Sequence, residues 1–303
     1  MAGIRLEFAQ FGHFDYFDIL RSETSMLGLS ELELPTPIAT SLKTMYYVDM
    51  NVVLGSTYYY KIRVVRGSDK VLSNEISVKA QSNDTYWGNV VALLHFDGNL
   101  VDEKANTWTA NNSNTFVSGI FGNAIELKST QKQCLYSSTG IGDFGSGDFT
   151  VEFFIKFKGF NTSSCVITGG WNYNTSKRTW GFLLGDGADR FKLHFYCSSN
   201  GTTAYSVAIP SGQLTADIFY HIAAVRNGST FKLFINGKSV GSSSFSGAIY
   251  SDLSSGVTVG TYFPTENNNS YYVDAVFDEL RITKGICRYI DDFDVPSAPF
   301  LSH

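Results

Sequence analysis

With 303 residues and about 150 per domain, the chain has room for two domains, each able to bury a core without metal or disulfide staples. Charged residues make up 17%, aromatics 15% (24 Phe, 17 Tyr, 4 Trp), and there are 28 Gly, which suits pleated, half-buried surfaces and tight turns and excludes a coiled coil. The net charge of −5, with 23 Lys and Arg scattered along the chain, offers no footprint for nucleic acid; no apolar run approaches the ~20 residues of a membrane crossing, and no h-region opens the chain, so a soluble protein without a signal peptide is expected.

From Met1 to Ala80 the pattern is of six short strands. Aromatic-rich runs over Ile4 to Gln10 and Phe14 to Leu20 are joined by Phe11-Gly12-His13, and Pro35-Thr36-Pro37 suits an edge or a loop. Runs over Thr44 to Val53, Thr57 to Val65 and Val71 to Ala80 follow, with Tyr58, Tyr60, Ile62 and Val64 on one face by two-residue alternation. Residues 81–86 are polar and aperiodic, as a linker is.

From Trp87 onward about twelve short strands alternate with Gly, Asn and Ser turns, and no amphipathic helix is visible. Phe149 to Phe157 carries apolar residues on both faces, as in a strand held between two layers. Phe219 to Val240 reads as consecutive hairpins, with Asn227-Gly228 and Asn236-Gly237 supplying positive φ at the turns. Cys134, Cys165, Cys197 and Cys287 have no metal-ligand spacing and are expected as free thiols.

Two family resemblances follow from these runs. Val53-Leu54-Gly55-Ser56-Thr57-Tyr58, then Tyr59 to Val64 and Ser73 to Val78, resemble a fibronectin type III module whose corner tyrosine bonds back to the preceding turn. Ile4 to Gln10 corresponds to the second strand of that family, so the first is missing and a sheet edge is left open. Five runs between about 85 and 300 are similar to laminin G-like domains of the concanavalin A-like group: Val91 to Gly98, Phe121 to Ile125, Gly147 to Lys156, Tyr220 to Arg226 with Leu233 to Gly237, and Phe277 to Gly285. The ending, Ile286-Cys287-Arg288-Tyr289 with Phe293, Pro296 and Pro299-Phe300, resembles the version of this domain in bacteriophage virion proteins. The expected fold is all-β: a fibronectin-like sandwich over 1–80 and a laminin G-like jelly roll over 87–303.

Some concanavalin A-like folds are glycosidases, whose two carboxyl groups lie about 5 to 9.5 Å apart. No Glu-x-Asp-x-Glu run is present, Asp148 and Glu152 are ~13 Å apart along one strand, and Asp278 and Glu279 are expected on opposite faces. No Gly-x-Ser-x-Gly elbow occurs, and His95, His194 and His221 lie in apolar strand patterns without a partner, so no catalytic residue is assigned. The concanavalin A-like resemblance implies that a structural calcium ion can tie the first core strand to the last; the matching residues are Asp97 and Asp278, with Asn123 as a third, although the aspartates can equally cap turns. Sugar recognition needs aromatic faces beside polar groups, which two loops offer: Trp171-Asn172-Tyr173-Asn174, and Tyr262 to Tyr272 with Glu266, Asn267, Asn268 and Tyr271. Polar loops between jelly-roll strands are the plainer reading of both.

Together these readings imply a non-enzymatic phage tail or fibre protein, made in the host cytoplasm and carried in the virion. The jelly roll would bind host-surface polysaccharide, the first block would attach to other virion proteins, and a homo-oligomer is expected. The alternatives are a capsid or tail decoration protein making protein contacts alone, and a bacterial extracellular lectin. No cofactor is required, and the resemblance allows for a structural calcium ion.

Overall fold

The computed structural model describes residues 4–80, 83–137, 140–160, 164–172, 177–185, 191–208, 214–251, 256–261 and 271–302. The chain divides into two compact units, Met1–Asp84 and Thr85–Ser302. Among the described residues both are built from antiparallel strands, and no helix is long and apolar enough to cross a membrane.

In the first unit, β1 (Ile4–Glu7) pairs with β4 (Tyr46–Asp49) as a two-stranded sheet. A second sheet runs β3 (Ala39–Leu42), β2 (Tyr16–Ser22), β5 (Thr57–Arg66), with β6 (Asp69–Leu72) and β7 (Ile76–Lys79) sharing the far edge of β5. The run expected as one strand over Val71 to Ala80 is therefore two: the Ser73 N–H still donates to the Ile62 carbonyl at 2.8 Å, but the Ser73 Oγ rather than a backbone carbonyl accepts from the Ile62 N–H at 2.9 Å, and the ladder ends there. Ile4, Leu6, Phe17, Ile19, Tyr58, Tyr60 and Ile62 form the core, so the two-residue alternation of β5 does face one side. The Tyr58 hydroxyl accepts from the Val53 N–H at 2.9 Å and pins the turn before β5. Buried Asp49 accepts from Arg21 and from the Tyr60 hydroxyl, each at 2.9 Å, so its charge is compensated.

The second unit has fifteen described strands. One sheet contains β8 (Val90–Leu94), β10 (Thr115–Ser118), β11 (Asn123–Leu127), β13 (Phe149–Phe157), β18 (Phe219–Asn227), β19 (Thr230–Ile235), β20 (Lys238–Ser244) and β22 (Ala275–Lys284). Its order is β10-β11-β22-β13-β18-β19-β20, and β8 also pairs with β22. The other contains β9 (Trp108–Asn111), β12 (Cys134–Ser137), β14 (Cys165–Asn172), β15 (Lys177–Leu184), β16 (Leu193–Gly201), β17 (Ala204–Ala208) and β21 (Thr258–Val259), in the order β17-β16-β15-β14-β21-β12-β9. The short strands exceed the dozen legible in sequence because segments of two to five residues carry too little alternation. At the β19–β20 turn Asn236 and Gly237 both adopt positive φ (49° and 73°), the geometry that a two-residue hairpin requires.

Inward residues of the two sheets make one core, including Phe149, Phe153, Ile222, Leu233 and Ile282 from the first and Ile167, Trp180, Phe182 and Phe195 from the second. Phe153 meets Phe182 edge-on with centroids 5.1 Å apart, a favoured aromatic geometry. The opposite face of the eight-stranded sheet is covered by the segment 285–302: Phe300 and Val295 pack on Val90, Leu93 and Phe154, while Cys287, Tyr289 and Phe293 pack on Ala223, Val225 and Phe234. This second cover explains why β13 is apolar on both sides. Beneath it, fully buried Glu152 accepts from Arg281 (Nε 3.0 Å, Nη2 2.8 Å) and from the Tyr289 hydroxyl (2.7 Å), with His221 Nε2 at 3.2 Å. Burial alone would raise this carboxyl, but the Arg281 charge and the His221 and Tyr289 bonds overcome it and hold it at about 2. The four cysteines are free; three are buried in β12, β14 and β16, and Cys287 is half-buried.

Candidate functional site

The residues proposed for calcium converge where β22 changes partners. Along one edge, β22 pairs with β11 through Ala275–Phe277 and with β8 through Leu280–Thr283. Between them, a register shift against β13 and a positive φ at Glu279 (54°) mark a bulge. Inward positions run 273, 275, 277, then 280, 282. Asp278 and Glu279 therefore both lie off the core face, which corrects the expectation that they point oppositely. The bulge re-aims two adjacent carboxylates into the gap between β8 and β11.

Both are fully buried, and each is held by groups far away in sequence. Asp278 Oδ2 accepts from the Ile120 and Phe121 N–H groups (2.8 and 3.1 Å) in the β10–β11 turn. Asp97, just after β8, accepts at Oδ1 from the Asn123 N–H at 2.7 Å in that same turn. Glu279 faces His95 Nδ1 at 2.8 Å and accepts from the Phe300 N–H at 2.8 Å. Only glycine admits this approach: a Cβ at Gly119 would lie 2.4 Å from Asp278 Oδ2, and one at Gly122, where φ is +72°, 2.4 Å from Asp97 Oδ1. Burial, with Glu279 and Asp97 nearby, pushes the Asp278 carboxyl up to about 7 despite its two backbone bonds. Asp278 Oδ1 is buried and has no hydrogen-bond partner. That orphaned atom, with Asp97 nearby, could offer an oxygen to a cation, but among the described residues no group of three or more His, Cys, Asp or Glu could hold a metal.

Of the two sugar-loop candidates, the described residues are Trp171 and Asn172 in the first and Tyr271 and Tyr272 in the second. Trp171 and Asn172 end β14, opposite Arg178 and Lys177 of β15. The flanks of the second loop lie toward the other end of β14, where the Gly260 N–H donates to the Ile167 carbonyl and Tyr271 packs on Val166 and Leu183, about 15 Å of strand away from Trp171. Tyr272 is 3% exposed, so its ring is a core group and presents no face to a sugar. Tyr173, Asn174, Tyr262, Glu266, Asn267 and Asn268 lie outside the described residues.

At the Trp171 end a shallow polar cleft is lined by Gly142, Asp143, Gly170, Thr179, Tyr250 and Ser251. Its floor is fixed by the Trp180 Nε1–H bond to the Gly142 carbonyl at 2.8 Å. Glycine is needed there too, since a Cβ at Gly142 would lie 2.9 Å from the Trp180 ring. Asp143, Tyr250 and Ser251 were not singled out in the sequence. The available signal was the Gly140-Ile141-Gly142-Asp143 run, whose spaced glycines allow close backbone approach.

Residues 129–286, just over half of the chain, match the Laminin_G_3 family model, described as the concanavalin A-like lectin/glucanases superfamily. No curated protein matches the chain. Among solved structures it is similar to domain 4 of AbnA, a GH43 extracellular arabinanase from Geobacillus stearothermophilus, in complex with arabinotriose: 17% identity, TM-score 0.51, 65% of this chain and 93% of that one. It is also similar to the binding domain of Paraclostridial Mosquitocidal Protein 1 (16% identity, TM-score 0.54) and to the botulinum neurotoxin serotype D binding domain (15% identity, TM-score 0.52). Each covers 67% of this chain, which spans about half the length of either toxin binding domain (51% and 50%). At these identities the structural likenesses establish the fold, a laminin G-like jelly-roll sandwich. The chain belongs to the concanavalin A-like lectin/glucanase superfamily.

Proposed function

We propose that this chain is a non-enzymatic binding protein of a bacteriophage virion, a tail or fibre component whose jelly roll contacts host-surface glycans through the cleft beside Trp171. The observation that carries the binding reading is the burial of Glu152, Asp278 and Glu279, each 0% exposed. These carboxylates occupy the central strands β13 and β22, yet none can reach a glycosidic bond, and all their oxygens except Asp278 Oδ1 are engaged in structural contacts. The cleft, in contrast, offers an aromatic ring, a carboxylate and hydroxyls at the surface, the mixture a sugar requires. The similar solved structures, an arabinanase domain in complex with arabinotriose and a toxin binding domain, support this reading. The phage assignment rests on the resemblance of the ending 286–300.

A glycan array probed with the full chain tests the proposal. Binding to host polysaccharide that falls at least about tenfold in Tyr250→Ala and Asp143→Ala supports it, since buried sugar-facing groups contribute on this scale. Uniformly null binding across host polysaccharides overturns it in favour of a decoration protein, a reading favoured by the exposed apolar side chains of the first unit.

The calcium ion has a structural role in this scheme. Asp97, Asn123 and Asp278 would hold it, and the ion would supply positive charge to a buried carboxylate that otherwise costs free energy to ionise. Added calcium should raise the melting temperature of the wild-type chain and not of Asp278→Asn; an equal shift in both would remove the ion from the scheme.

A further inference from the structure

The open edge of β1 has a specific chemistry. The Phe8 N–H donates to the Met45 carbonyl at 3.0 Å, continuing the β1–β4 register. Bonded and non-bonded pairs alternate along an antiparallel ladder, so Ile4, Leu6 and Phe8 direct their N–H and C=O groups at β4. Arg5 and Glu7 direct theirs at the other edge. Among the described residues, no strand pairs with that edge. The side chains of Arg5 and Glu7 lie on the exposed face, 57% and 71% accessible, joined by a 2.8 Å Nε to Oε1 contact, and the Arg5 guanidinium sits 4.7 Å over the Tyr46 ring.

We propose that β1 pairs antiparallel with β1 of a second copy of this chain about a two-fold axis at Leu6, giving a continuous four-stranded sheet β4-β1-β1-β4. Backbone phase permits three registers that oppose edge-facing residues of the two copies. One sets Arg5 against Arg5, another Glu7 against Glu7, and like charges directly opposite repel. The third sets Arg5 of each copy against Glu7 of the other, so that both residue pairs with free backbone groups exchange hydrogen bonds and both cross-strand pairs are of opposite charge. Leu6 then faces Leu6 beneath, and Ile4 faces Phe8. The interface is isologous, as a two-fold dimer requires. Charges on an edge strand usually discourage pairing. Here their alternating signs make the edge self-complementary in one register. The inference concerns self-association and is independent of the glycan reading.

Sedimentation equilibrium of the full chain, from sub-micromolar to about a hundred micromolar, is expected to show a reversible monomer–dimer equilibrium. Glu7→Lys places Lys against Arg5 at both symmetric positions and is expected to weaken dimerisation at least about tenfold. The reversed pair, Arg5→Glu with Glu7→Lys, is expected to restore it to within about twofold of wild type. Hydrogen exchange gives a second measurement on unaltered protein. The Arg5 and Glu7 amides should be protected at high concentration and exchange on dilution, while the Phe8 amide stays protected throughout. A chain that stays monomeric at every concentration, a Glu7→Lys equilibrium equal to wild type, a reversed pair no better than the single variant, or Arg5 and Glu7 exchange independent of concentration would each overturn the proposal.

Discussion

The two units close their sheets differently. In Thr85–Ser302 the eight-stranded sheet is covered on one side by its partner sheet and on the other by residues 285–302, and its buried Glu152 is held by Arg281, His221 and Tyr289. In Met1–Asp84 the two-stranded sheet leaves the Arg5 and Glu7 edge unpaired among the described residues. Among those residues twelve of the eighteen exposed large hydrophobic side chains fall in this smaller unit, including Phe11, Leu32, Val53 and Val71. A sandwich with a finished second face can bury its apolar residues; one with an open edge leaves them for partners. Core closure belongs to the jelly roll, and most of the exposed large apolar side chains among the described residues belong to the first unit.

The largest expected effect tests the closed unit. Arg281→Ala leaves Glu152 buried without its main counter-charge and is expected to destabilise the second unit by about 3–5 kcal/mol. All four tryptophans (Trp87, Trp108, Trp171 and Trp180) lie in that unit, so their fluorescence during urea unfolding reports on it alone. A single cooperative transition shared by tryptophan and far-ultraviolet signals would break the comparison. Acid should act through the same cluster. Because Glu152 is lowered from 4.5 to about 2 in the folded protein, its contribution is fully present above pH 4.5 and is lost as pH falls toward 2. That loss amounts to about 3 kcal/mol, read as a falling urea midpoint of tryptophan fluorescence over this window.

Gly119→Ala should cost about 1–3 kcal/mol, because its Cβ would lie 2.4 Å from Asp278 Oδ2 and 2.9 Å from the Ala124 Cβ and must displace both. If tryptophan-detected stability stays at the wild-type value, the turn does not lock the β22 bulge as described. The smallest effect sharpens the comparison from the other side. Tyr58→Phe removes the bond from the Val53 N–H and should cost about 1 kcal/mol in the first unit, leaving the tryptophan transition unmoved.

Much of this molecule was legible because short-range physics governs it. Tyr58, Tyr60 and Ile62 face the core as their spacing requires, and the Asn236-Gly237 turn adopts the backbone its residues favour. Strand β3 escaped notice because Ala39-Thr40-Ser41-Leu42 has no alternating apolar pattern. The pairing of His95 with Glu279 also escaped, since 184 residues separate them and the bulge that aims Glu279 leaves no sign in composition.

The sequence by itself determined an all-β chain in two blocks, since strand patterning and turn residues act over a few positions. It also singled out Asp97, Asn123 and Asp278 through a family resemblance. Only the tertiary structure decided that Asp278 and Glu279 share a face, that the 285–302 segment seals the second side of β13, and that Tyr272 is a core residue. Those outcomes depend on the phase of one bulge and on pairings between strands more than a hundred residues apart. A one-residue shift in a period-two pattern exchanges buried and exposed faces, and long-range register alone fixes that shift.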